Sequence, residues 1–185
     1  YLARLKYRNK ILIDSHDPRF IDVAVLSRYP AMSIKTHKDE RTDTNNAWLF
    51  SRDCLKVVFD IEGKSFTVYV NHFKSMMEGR EATRSRRAGQ VKRVAEIIDH
   101  DWKDSDYDGN FAVCGDFNDY IDNETSLSDL VNHPHLVNVV ERLPVNEQWT
   151  HYYAGKPEVK QLDYLLLNKK LAAKTASLPG INRKG

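Results

Sequence analysis

Asp116 and Asn118 stand two residues apart behind a glycine, at the end of the apolar run Phe111-Ala112-Val113-Cys114. His72 closes a second run, Val68-Tyr69-Val70-Asn71-His72-Phe73-Lys74, and Asp163 lies at the head of a third, Gln161-Leu162-Asp163-Tyr164-Leu165-Leu166-Leu167. Carboxylate, carboxamide and imidazole are groups that orient water, hold phosphoryl oxygens and exchange protons. Each also has an ordinary explanation. A histidine beside a strand commonly serves packing, and Asp-x-Asn after glycine shapes a turn by bonding its own backbone. Asp163 is harder to dismiss, because a carboxylate buried within an apolar strand must be paired. All three segments share one form, a hydrophobic strand with reactive polar groups at its end, and this favours a common phosphate- or metal-handling site.

The elements that must position these groups are readable as a pattern. Residues 21–26 form a β-branched run that stops at Ser27-Arg28-Tyr29-Pro30, where proline discourages strand pairing. Residues 35–53 are charged and polar and read as a long loop. Leu55–Ile61 and Phe66–Val70 read as strands joined by Glu62-Gly63-Lys64, a short glycine-containing hairpin link. From Arg80 to Trp102, Ala88, Val91, Val94, Ala95, Ile98 and Trp102 recur at spacings of three and four, which predicts one amphipathic helix. Residues 110–114 read as a short strand after a polar turn, 126–131 as a short helix with Ser126 as its cap, and 149–153 and 161–167 as strands. Hairpins with one long helix between them predict an α+β fold in which helices pack on sheets. Strand ends on such a scaffold hold reactive groups with little positional slack.

Bulk properties narrow the field. At 185 residues the chain has the length of one domain, and 41% hydrophobic with 29% charged residues is a globular balance. No apolar run approaches the roughly 20 residues that span a bilayer. A formal charge of +2 neither demands nor excludes a polyanionic partner. Arg80, Arg84, Arg86, Arg87, Lys92 and Arg93 cluster at the start of the long helix, either as a solvated face or as a phosphate-attracting one. Two cysteines build no disulfide framework, and Cys114 reads as a buried reduced thiol. Tyr1-Leu2-Ala3-Arg4 is neither a translational start nor a signal peptide, and residues 180–185 form a basic tail. None of this assigns a compartment.

Taken in order, Asp22-Val23-Ala24-Val25-Leu26-Ser27-Arg28-Tyr29-Pro30, Asn71-His72-Phe73-Lys74-Ser75, Gly115-Asp116-Phe117-Asn118-Asp119 and Gln161-Leu162-Asp163-Tyr164-Leu165-Leu166 resemble the endonuclease/exonuclease/phosphatase superfamily, nearest its bacterial predicted-nuclease branch. The resemblance implies a four-layer sandwich, two β-sheets flanked by helices. It also implies in-line attack of water on a phosphoester, assisted by Mg²⁺ or Mn²⁺. Carried over by motif, Asp116 orients or deprotonates the water and, with Asn118, contributes to the metal site. Asn118 also holds a phosphate oxygen, His72 contacts the scissile phosphate or helps the leaving group, and Asp163 pairs with a second catalytic histidine. Asn71 and Lys74 are implied substrate contacts. The superfamily's opening Asn and metal-ligating Glu strands and its closing Ser-Asp-His segment have no counterpart in residues 1–185, so the domain is expected to be incomplete at both ends and inactive alone. The function expected of the whole is a metal-dependent nuclease acting on nucleic acid. The alternatives are a lipid or inositol-polyphosphate phosphatase, or a non-catalytic binding module of the same fold.

Overall fold

The computed structural model describes residues 6–175 and 177–183; the Tyr1-Leu2-Ala3-Arg4 start, and Lys184 and Gly185 of the basic tail, lie outside them. In chain order the strands and helices are β1 (Asn9–Leu12), β2 (Ala24–Ser27), β3 (Ala31–Lys35), β4 (Cys54–Ile61), β5 (Lys64–His72), α1 (Arg80–Trp102), β6 (Asn110–Asp116), α2 (Ser128–Val131), β7 (Leu136–Asn138), β8 (His151–Tyr153), β9 (Glu158–Lys160), β10 (Asp163–Asn168) and α3 (Lys169–Ala172). Six strands form one sheet in the order β3-β4-β5-β6-β10-β7, while β1 with β2 and β8 with β9 make two-stranded ribbons. Within the large sheet only β5 and β6 run parallel. A parallel pair needs a long crossover, and α1 supplies it.

Alternation along the strands gives the sheet two unlike faces. Tyr69, Phe111, Val113, Tyr164 and Leu166 point to one face and pack against Val91, Val94, Ala95, Ile97 and Ile98 of α1. Each such side chain, fully buried, contributes about 1.5–3 kcal/mol relative to exposure. On the other face Leu55, Val57 and Phe59 of β4 pack with Ile11 and Val23 of the β1–β2 region. The fold is α+β, with a helix layer and a strand layer on opposite sides of the large sheet. No helix among the described residues is long and apolar enough to cross a membrane.

The helix read from its stripe occupies the expected span, although its inward face is not wholly apolar. Thr83, Arg87 and Gln90 of its N-terminal half are buried as well. Between β4 and β5 the turn is Glu62-Gly63, both at positive φ (53° and 78°) as a type I′ hairpin requires, and Lys64 already belongs to β5. Strands β1, β7 and β9 are four, three and three residues long, too short to show alternation in sequence. Ser126 does not cap α2, whose N-cap is Leu127; its hydroxyl bonds Asp119 instead. Cys54 and Cys114 are both free, the first buried and the second half-buried.

Gly115 lies in β6 at φ +133°, where any Cβ would run into the backbone carbonyl of Asn71 on β5. Close approach of the two parallel strands thus depends on glycine. Gly115→Ala is expected to destabilise the fold by roughly 2 kcal/mol or more, read as a lowered denaturant midpoint; an unchanged midpoint would show that the strand pair has room to relax.

Candidate active site

Strand register does the work of assembly. Parallel pairing sets His72 at the end of β5 beside Asp116 at the end of β6. Antiparallel pairing sets Asp163 at the start of β10 opposite the same Asp116. Paired residues share a face, so three side chains distant in sequence lie side by side at one edge of the sheet. His72 Nε2 is 3.6 Å from Asp116 Oδ2.

Beyond Asp116 the chain turns sharply. The Asn118 N–H donates to Asp116 Oδ1 at 2.9 Å, with Asn118 itself at φ +51°, the local Asp/Asn turn expected for Asp-x-Asn. Asn118 Nδ2 donates to the Phe73 carbonyl at 3.1 Å, tying this turn to the one after His72. Its Nδ2 carries a second hydrogen and its Oδ1 is an acceptor, so the carboxamide can both donate and accept.

The surroundings set the charges. Burial, with the Arg52 guanidinium next, pulls the His72 pKa down to about 4. The imidazole is therefore neutral at pH 7, and its approach to Asp116 is not a charged pair. Burial pushes Asp116 upward and the nearby Asp163 adds to this, while the Asn118 amide, Arg52 and His151 oppose it. Arg52 is buried, donates to the Phe73 carbonyl at 2.8 Å and pairs with Asp17 at 2.9 Å. Asp17 in turn accepts two bonds from the Arg19 guanidinium, which holds its carboxyl well below the usual carboxylate range. No motif marks Arg52, Asp17 or Arg19, and sequence reading missed them; they come to the site only through tertiary contact.

A second buried pair holds the loops from behind. Asp119 accepts from Arg80 Nε at 2.6 Å, the Ser126 hydroxyl at 2.5 Å and the Ser126 amide at 2.9 Å, and lies 3.4 Å from Arg87 Nε. Arg87, wholly buried, also reaches the Lys74 carbonyl at 3.2 Å, while Gln90 Oε1 accepts the Lys74 N–H at 2.8 Å. The basic cluster at the start of α1 is therefore split, with Arg86 and Lys92 exposed, Arg84 partly so, and the other three engaged by protein groups. Arg87 is inside, Arg80 is spent on Asp119 and Asp122, and Arg93 on Glu40 and Glu96.

Two sequence-derived contacts lie away from the cluster. Asn71 precedes His72 and so points to the opposite face; it is buried and donates to the Tyr69 carbonyl. Lys74 pairs with Glu78 rather than turning toward Asp116. Asp163 is exposed, not buried, because its face of β10 is open there. Its N–H and that of Leu162 donate to Thr150 Oγ1 at 2.9 and 3.0 Å, which places β8 against the cluster.

No three His, Cys, Asp or Glu side chains converge as a metal cage among the described residues. The cluster offers two carboxylates, on Asp116 and Asp163, and one carboxamide oxygen, on Asn118. Mg²⁺ keeps several waters and takes one or two carboxylates alongside phosphate oxygens, so this donor set fits such an ion held partly by water and substrate.

The chain belongs to the Endonuclease/Exonuclease/phosphatase family, whose sequence profile matches residues 1–179. Its fold is similar to the catalytic domain of human Nocturnin solved with bound sulfate, at 16% identity and TM-score 0.64, over 91% of this chain and 63% of that one. It is also similar to sphingomyelinase C from Streptomyces griseocarneus (18%, TM-score 0.54, 79% of this chain and 52% of that one). A third similar fold is humanized D. rerio TDP2 (16%, TM-score 0.55, 84% and 58%). The chain thus spans less than two thirds of the length of these structures. No curated protein sequence matches it.

Two measurements check this geometry. With a chelator present, the His72 ring signals are expected to titrate with a midpoint of about 4 rather than 6.5; a midpoint at or above 6.5 would place His72 in open solvent. Arg87→Ala, which strips a buried partner from Asp119, is expected to cost about 3–5 kcal/mol in denaturant unfolding, and a loss below about 1 kcal/mol would show that Asp119 does not depend on it.

Proposed function

We propose that this site hydrolyses phosphodiester bonds with the help of a divalent cation, Mg²⁺ or Mn²⁺, and that its substrate is nucleic acid. The observation that carries the reading is the register that lines up His72, Asp116 and Asp163 on one face, with Asn118 in the adjoining turn. Asp116 supplies the negative charge that orients the attacking water and takes up its proton. Asn118 holds a phosphoryl oxygen by donating the second hydrogen of its Nδ2, the first being used on the Phe73 carbonyl. Neutral His72 donates a hydrogen bond to another phosphoryl oxygen, and Arg52 beneath it adds positive potential where negative charge grows. Asp163, exposed beside Asp116, is the carboxylate that orients a second imidazole. When bound, the cation polarises the phosphoryl group and steadies the departing oxyanion. For the protein's own groups the contribution is mainly positioning and charge stabilisation.

In the whole protein, Asp116→Asn and His72→Ala are each expected to lower turnover about 10²–10⁴-fold, with far-ultraviolet dichroism and melting unchanged. Chelation should abolish activity and Mg²⁺ restore it. Plasmid DNA, sphingomyelin and inositol phosphates serve as parallel substrates. Near-normal rates in either variant would refute the site, and turnover confined to the lipid or the inositol phosphates would refute the nucleic-acid reading.

A further inference from the structure

The β8–β9 ribbon has no role in the chemistry above, yet it stands beside it. Thr150, one residue before β8, holds the amides of Leu162 and Asp163, so His151 emerges next to the head of β10. Register pairs His151 with Lys160 and Tyr153 with Glu158, which puts all four on one face of the ribbon, where Lys160 Nζ also pairs with Glu158 Oε1 at 2.8 Å. The His151 and Tyr153 rings meet edge to face at 4.6 Å. Lys160 Nζ lies 4.5 Å from the centre of the Tyr120 ring, just past the Asn118 turn, and Arg80 lies 3.8 Å from the same ring. The face therefore stands beside the Asp116–Asn118 turn. Tyr152 and Val159 lie on the ribbon's other face and are exposed.

This wall combines aromatic rings with cations. A quaternary ammonium headgroup needs aromatic faces that no other cation occupies, and Tyr120 already carries two. A polynucleotide presents the opposite chemistry, a second phosphate one residue along and a flat base.

We propose that His151, Tyr153 and Lys160 form a subsite for the nucleotide neighbouring the scissile phosphate, with His151 and Lys160 on its phosphate and Tyr153 against its base. The inference rests on the nucleic-acid reading of the site and specifies which element grips the strand.

Binding tests it without requiring turnover. A fluorescein-labelled oligothymidylate is titrated by anisotropy against the protein and its variants, in parallel with vesicles of sphingomyelin and phosphatidylcholine. Lys160→Glu is expected to weaken oligonucleotide binding roughly tenfold, and Tyr153→Ala about fivefold or more. Lys156→Glu, the same charge change at the exposed ribbon tip, should have a clearly smaller effect. Unchanged affinity in both ribbon variants, an equal loss from Lys156→Glu, or vesicle binding that responds to the substitutions when oligonucleotide binding does not would each overturn the subsite. Asp116→Asn turnover judges the catalytic reading separately, so a failed subsite leaves that reading standing and a failed catalytic site does not mask the binding result.

Discussion

Parallel pairing of β5 with β6 brings two strand ends to the same edge of the sheet, and everything at the site depends on that alignment. An antiparallel pair would have sent His72 and Asp116 to opposite edges. Parallel strands cannot be joined by a tight turn, so the chain must cross over, and the 23-residue helix α1 is that crossover. Gly115 lets the two backbones approach at the critical point. Antiparallel β10 then sets Asp163 opposite Asp116.

Because α1 is both crossover and core, its two halves do different work. Its C-terminal half buries Val94, Ile97 and Ile98 and behaves as the amphipathic pattern implies. The N-terminal half faces two sharp turns whose carbonyls and amides have left the sheet ladder and need partners. Arg87 and Gln90 supply them at Lys74, and Asp119 gathers Arg80, Arg87 and Ser126. Burying such charges is costly unless every one is satisfied, so these contacts fix one arrangement of the loops rather than add much stability. Arg52 plays the matching part on the other side, bonding the Phe73 carbonyl that Asn118 also uses. In this way the turns that carry His72 and Asn118 are tied to each other and to the helix.

Legibility of the sequence follows the physics of each element. Helix α1 and strands β4, β5, β6 and β10 were readable because their burial is regular enough to imprint a period of 3.6 or 2 on the residues. Of the ribbons, β2 and β8 were read as strands from residues 21–26 and 149–153, but their partners β1 and β9 were not, since three or four residues cannot show a period. Asp116, Asn118 and His72 stood out as polar groups ending apolar runs. Arg87 was misread as surface because charge alone does not reveal a buried acceptor. The face on which Asn71 lies was not legible, because the resemblance names a motif and not a face. His151 and Arg52 carried no local signal at all.

By itself, then, the order of residues determined the family, the long helix, the central strands and the polar groups at their ends, all of which arise from interactions local in sequence or from a motif kept intact. Only the tertiary structure decided which of those groups share a face, that Asn71 turns away, that the helix arginines are largely consumed by buried or local carboxylates, and that His151 and Lys160 stand beside the Asp116 edge. These are outcomes of register and of contacts between residues tens of positions apart, and a one-residue slip in pairing would reverse each of them while leaving every local pattern unchanged.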